Sequence, residues 1–220
     1  MAVTAHDVAA ALPQIPVLHD RCRAIAVLDA ILSPEWEYRF FSFDSRWSPG
    51  QEMASMRNGS GDAYSIVFDA AGVFIRGFAH EYPMNTAGEG RLWPGLIDTV
   101  PAVFAGSVNE PAFSYDDRLN ATVCLWRETT DDRWHTGDIT YPPGPDPDGA
   151  DYLFAVLVDG TPQAYLRFAA DYYEQELDGA AVGAVYAMEP LTKALVRRLN
   201  PDLKLRHLAD DLAEIGYPVR

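Results

Sequence analysis

Acid–base chemistry needs a histidine or carboxylate within hydrogen-bond reach of a second polar group. The sequence offers His80, Glu81, Asp62 and His135 for that role. His80-Glu81 follows a predicted strand, and His135 lies on the return arm of a predicted hairpin. A sheet that gathered them with Asp62 would make a hydrolytic or metal-dependent site. Their spacing does not require it, because no H-E-x-x-H occurs and the histidines are far apart in the chain. The plainer reading is a hydrogen-bonded sheet histidine and an exposed loop residue.

Other motifs carry less. Asp146, Asp148 and Asp151 resemble half a calcium loop. An EF-hand wants glycine at position six and glutamate at twelve, where this chain has Asp151 and Leu157. Turn chemistry explains Asp-Pro and Asp-Gly without an ion. Ser60 stands in N-G-S-G-D, not in the G-x-S-x-G of a nucleophile elbow. No G-K-[S/T] marks a phosphate loop. Cys22 and Cys124 have no neighbour that would activate a thiolate, and they read as packing residues. The sequence calls for no cofactor.

The elements that must position these residues read as helices, then strands, then helices. Thr4 and Asp7 stand as N-cap and N3 of a first helix. A second helix runs from about Pro16 to Ile31, with Val17, Leu18, Cys22, Ile25, Leu28 and Leu32 on its apolar face and Asp20, Arg21, Arg23 and Asp29 on its wet side. Alternation at Trp36, Tyr38 and Phe40 predicts a strand. Two hairpins follow over 51–79, turning at Asn58-Gly59-Ser60-Gly61-Asp62 and at Asp69-Ala70-Ala71-Gly72. Residues 80–91 read as loop and 92–108 as a helix broken by Pro94 and Pro101. A last hairpin pairs 123–126 with 133–141. Four prolines and two glycines in Pro142–Gly149 stop the sheet region. Everything beyond reads as short helices, with Thr161-Pro162 opening one and Gly216 closing the last.

These elements predict an α+β fold: N-terminal helices, a mainly antiparallel sheet of five or six strands, and a C-terminal helical half packed on it. A single domain, with a sheet half over 36–141 and a helical half over 150–216, is the first reading. A split near Pro145 is the alternative.

Of 220 residues, 32 are Asp or Glu and 17 are Lys or Arg, a net charge of −15. Such a surface repels nucleic acid and anionic membranes, so neither is an expected partner. It favours a basic protein, a cationic ligand or a metal. Low cysteine content and the absence of a basic-then-apolar leader fit a cytoplasmic protein. Aromatic anchors amid polar residues are the usual anatomy of a protein interface. Trp93, His80, Tyr82 and Met84, with Asp131 and Asp132, are therefore the predicted contact surface.

Met56–Asp62, Gly77–Met84, Trp126-Arg127 with Asp132–Gly137, and Glu214–Pro218 together resemble an uncharacterised bacterial protein family with no assigned reaction. The likeness runs from about Met53 to Pro218. Sheet half, helical tail and acidic surface are also loosely similar to immunity proteins of bacterial toxin systems. That likeness implies an acidic, non-enzymatic module that inhibits a basic toxin. The competing expectations are a small hydrolase or metal enzyme using the His/Glu/Asp cluster, and a small-molecule sensor with an aromatic pocket between sheet and helices.

Overall fold

The computed structural model describes residues 3–219. The fold is α+β, as its patterning predicts. A six-stranded antiparallel sheet has the order β1-β2-β3-β4-β7-β8, built from β1 (Phe41–Ser48), β2 (Gln51–Arg57), β3 (Ala63–Phe68), β4 (Gly72–Phe78), β7 (Val123–Glu128) and β8 (His135–Thr136). Strands β5 (Ser114–Tyr115) and β6 (Arg118–Leu119) form a separate small hairpin. Among the described residues no helix is long and apolar enough to cross a membrane. By contact density the chain forms two compact units. One holds Ser55–Ala155 with the N-terminal residues to Ile15; the other holds Pro16–Ala54 and Val156–Arg220.

In the first unit β4 is buried at every position. It pairs with β3 (Ile66 opposite Ile75) and with β7 (Ile75 opposite Leu125). Strand alternation sends Tyr64, Ile66, Ile75 and Leu125 to one face. There α4 (Ala150–Asp159) lies against the sheet, and Tyr64 stacks on Phe154 with ring centroids 5.4 Å apart. Gly77 permits the approach, since a Cβ there would lie 2.9 Å from Leu153. The opposite face carries Phe74 against Phe104 and the buried Arg76, whose guanidinium lies 5.8 Å from the Phe78 ring. Burial lowers the Arg76 pKa to about 10. Helix α1 (Ala5–Ala11) opens with the Thr4/Asp7 capping box.

Two expectations change here. Residues 92–108 are mostly turns, with a 3₁₀ turn at Ala102–Phe104 and one helical turn, α3 (Ala105–Val108). Pro94 and Pro101 deny the helix its hydrogen bonds. The return arm of the last hairpin is only β8, because beyond it Gly137 crosses so tightly against Gly95 that a Cβ would meet the Gly95 carbonyl at 2.1 Å.

Gly149 opens α4 at φ +79°, and a Cβ there would lie 2.3 Å from the Ala79 Cβ and 3.3 Å from the Tyr82 ring. Gly149→Ala is therefore expected to cost about 2 kcal/mol through backbone strain and collision. Urea unfolding reads the loss, and an unchanged midpoint would contradict it.

The second unit contains most of α2 (Ile15–Leu32), with α5 (Pro162–Tyr172), α6 (Gly179–Tyr186), α7 (Lys193–Leu199) and α8 (Ala209–Ile215). Thr161 and Thr192 cap α5 and α7 through Ala164 N–H and Leu195 N–H, and Gly216 ends α8 at φ +69°. From Ala24 to Leu32 every residue of α2 is buried. Asp29, assigned as a charged residue to the wet side, is fully buried instead. Its carboxylate accepts from the Tyr165 hydroxyl at 2.6 Å, the Tyr173 hydroxyl at 2.8 Å, and the amides of Phe40 and Phe41 at 2.9 and 2.7 Å. Because Asp29 holds those two amides, β1 begins only at Phe41. Trp36 and Tyr38, expected in a strand, occupy a 3₁₀ turn and are exposed. Phe40, Phe168 and Tyr172 pack ring on ring beside the carboxylate, with centroids 4.7–5.4 Å apart.

Candidate functional site

The turn before β3 is closed by its own side chains. The Asn58 carbonyl oxygen accepts from the amides of Ser60 and Asp62 at 2.8 and 3.1 Å. This Asx geometry turns Asp62 toward the end of β4. There Asp62 Oδ1 accepts from His80 N–H at 2.8 Å and meets His80 Nδ1 at 2.9 Å. Asp62 Oδ2 accepts from Asn58 Nδ2 at 2.7 Å, and that amide also donates to the Tyr152 hydroxyl at 3.1 Å. A carboxylate partner assigns the proton to Nδ1 and leaves His80 Nε2 outward, 3.7 Å from Glu81 Oε1. The sheet thus brings Asp62, His80 and Glu81 together.

Burial pushes the Asp62 carboxyl up. The hydrogen bonds from the His80 ring, His80 N–H and Asn58 outweigh it, and the net pKa is lowered. A carboxylate whose pKa falls on folding adds stability above about pH 4 that is lost as pH falls through its folded value. Asp62→Ala is expected to cost about 2 kcal/mol near neutral pH by stranding these donors. Urea midpoints at pH 7 and pH 3 should differ between variant and wild type by less at the lower pH.

Beside this pair stands a stack of two tyrosines. Tyr82 follows β4, Tyr152 sits in the first turn of α4, and their rings lie 6.3 Å apart at 19°. Tyr152 is 43% exposed. Three carboxylates act on Tyr82 electrostatically, Asp62, Asp146 and Asp151, and Glu81 is its neighbour in the chain. Burial, then Asp146, Asp62, Tyr152 and Asp151, raises the Tyr82 pKa to about 12. Burial also raises that of Asp146. Neutral aromatic faces beside negative charge attract a guanidinium or ammonium.

The acidic loop serves mainly as a helix cap. Asp146 accepts from the amides of Asp151 and Tyr152, and the buried Asp148 from those of Ala5 and Ala150. Among the described residues no group of three His, Cys, Asp or Glu is placed to hold a metal. Both cysteines are buried; burial raises the Cys22 thiol pKa and takes that of Cys124 to about 12.

His135 does not join His80. It pairs with Trp126, which pairs with Phe74, six positions before His80 and so roughly 20 Å away along the strand. His135 Nε2 lies 3.5 Å from Asp131, and His135 lines a cavity of about 470 Å³ with His6, Arg127, Asp132 and Arg133. The expected contact surface therefore separates. Tyr82 and His80 stand in the acidic-aromatic patch, whereas Asp131 and Asp132 lie with His135. Trp93 is half-buried, its indole N–H donating to Thr140 O at 3.1 Å. Met84 is fully buried and is a packing residue, because its chain segment is tied by Met84 N–H to Pro147 O.

Sequence reasoning missed Tyr152. Its one signal was a tyrosine one position after the aspartate that ends the acidic turn. No family model, curated protein or solved structure matches the chain.

Proposed function

We propose that this chain is a cytoplasmic bacterial module that binds a basic protein, in the manner of an immunity-type inhibitor of a basic toxin. The observation that carries the reading is the Tyr82–Tyr152 stack with Asp62, Asp146 and Asp151 acting on it. An arginine or lysine of the partner would lie on the rings and face the carboxylates. The net charge of −15 would steer the encounter and discriminate against nucleic acid.

Titration with an oligo-arginine peptide tests the patch. Of the eleven tyrosines, Tyr82 and Tyr152 should show the first and largest ring-proton shifts, and the shifts should collapse near 0.5 M salt, roughly where the Debye length falls to a few ångströms. Shifts spread evenly over the tyrosines would defeat the assignment.

A second reading rests on the Asp62–His80 pair, which presents His80 Nε2 as a general base. It is a hydrolytic site that uses Asp62, His80 and Glu81 without His135. Hydrolysis of an activated ester that disappears in His80→Gln, while oligo-arginine binding persists, would favour it.

A further inference from the structure

We infer that the second unit carries a binding site of opposite sign, made for a small phosphate ester with an apolar body. Helix α7 and the segment after it border a cavity of about 280 Å³, lined by Lys193, Arg197, Leu203, Lys204, Leu205 and Arg206. That volume lies near the lower end of the range for small-ligand pockets. Lys193 and Lys204 are the only lysines in the chain, and both are here. A protein with net charge −15 thus gathers four cations around one cavity, and no carboxylate residue is among its described lining residues.

Among the described residues no acid engages these cations. Other cations of this unit have carboxylate partners: Arg198 meets Asp178 at 2.8 Å, Arg167 meets Asp159 at 2.6 Å and Arg39 meets Asp211 at 2.6 Å. Among the described residues no carboxylate oxygen lies within 4.0 Å of Lys193, Arg197, Lys204 or Arg206. Arg206 Nε donates only to His207 Nε2, at 3.4 Å. Four like charges around one cavity repel one another, and a bound anion relieves the repulsion.

The rest of the lining says what kind of anion. Leu203 is buried and Leu205 half-buried, so an apolar surface lies beside the charges. Two guanidinium forks and two ammonium groups match the several oxygens of a dianionic phosphate better than the two of a carboxylate. The loop is also fixed before any ligand arrives. Asn200 Nδ2 donates to Ile31 O at 2.8 Å, and Leu203 N–H donates to Asn200 O at 3.2 Å. A fixed loop limits the ordering cost of binding. This site is independent of the acidic-aromatic patch and stands or falls without it.

Calorimetric titration of the full chain with phenyl phosphate at low salt is the test, with inorganic phosphate and phenol as companions. Phenyl phosphate should bind saturably at one site, inorganic phosphate more weakly, and phenol not at all. Lys193→Gln with Arg197→Gln should weaken phenyl phosphate by about tenfold or more, as loss of two charge-assisted contacts implies. Lys204→Gln with Arg206→Gln should do the same. All four side chains are exposed, so both variants should melt like the wild type. No saturable binding, or an affinity unchanged in both variants, would overturn the site. Equal affinity for phenyl and inorganic phosphate would overturn the ester assignment.

Discussion

Raising the pH from about 4 to 7 is expected to remove about 2 kcal/mol of stability through Asp29 alone. Burial lifts this carboxyl from its ordinary 3.8 to about 6, against the opposing hydrogen bonds from Tyr165, Phe41, Tyr173 and Phe40. A group whose pKa rises on folding binds its proton more tightly in the native state. Its contribution is complete below the unfolded value and is lost as pH climbs through the folded one. Asp29→Asn removes the titration, so the pH dependence of wild-type stability minus that of the variant isolates the effect. Asp29→Ala should cost about 4 kcal/mol at pH 4, where two hydroxyls and two amides lose their acceptor. At pH 7 its cost should shrink, because the penalty for burying the charge disappears with the carboxylate. Urea unfolding of the three proteins at both pH values measures this, and a difference curve flat between pH 4 and 7 would contradict it.

Reversing charge around the tyrosine stack is expected to slow capture of a basic partner by about 10- to 100-fold. Glu81→Lys with Asp151→Lys is the variant of choice. The Glu81 side chain is 83% exposed and Asp151 is also exposed, so the fold should be untouched. Tyr82→Ala with Tyr152→Ala should act differently. It removes the surface on which the cation rests, so the complex should dissociate faster while the salt dependence of association persists. If neither pair changes the kinetics of a bound basic protein, the contact lies elsewhere on the chain.

The parts of the fold that could be read from sequence were those fixed by local chemistry. The Thr4/Asp7 box, Thr161-Pro162 and Gly216 mark helix ends because each acts within one turn. Short turns between alternating segments imply an antiparallel order, and the sheet has one. What stayed hidden was long-range. Asp29 stands four residues after Ile25 and three before Leu32, on the apolar face of α2, but its charge argues for solvent, and the partners that let it be buried lie 11 to 144 residues away. The late start of β1 follows from that same carboxylate. The Asn58–Asp62 turn and the residues after β4 nominate Asp62, His80 and Glu81 correctly as neighbours. His135 is separated from them by strand register, which its position in the chain does not reveal. Tyr152 joins the site only because Asp146 and Gly149 aim the first turn of α4 at Tyr82.

The most direct measurement is co-purification of the tagged chain from bacteria at low and high salt, run in parallel with the Glu81→Lys, Asp151→Lys variant. An acidic-aromatic docking surface predicts one stoichiometric basic protein on the wild type at low salt, released at high salt and missing from the variant. A partner retained equally by the variant, or no basic partner at either salt concentration, would contradict the proposed function.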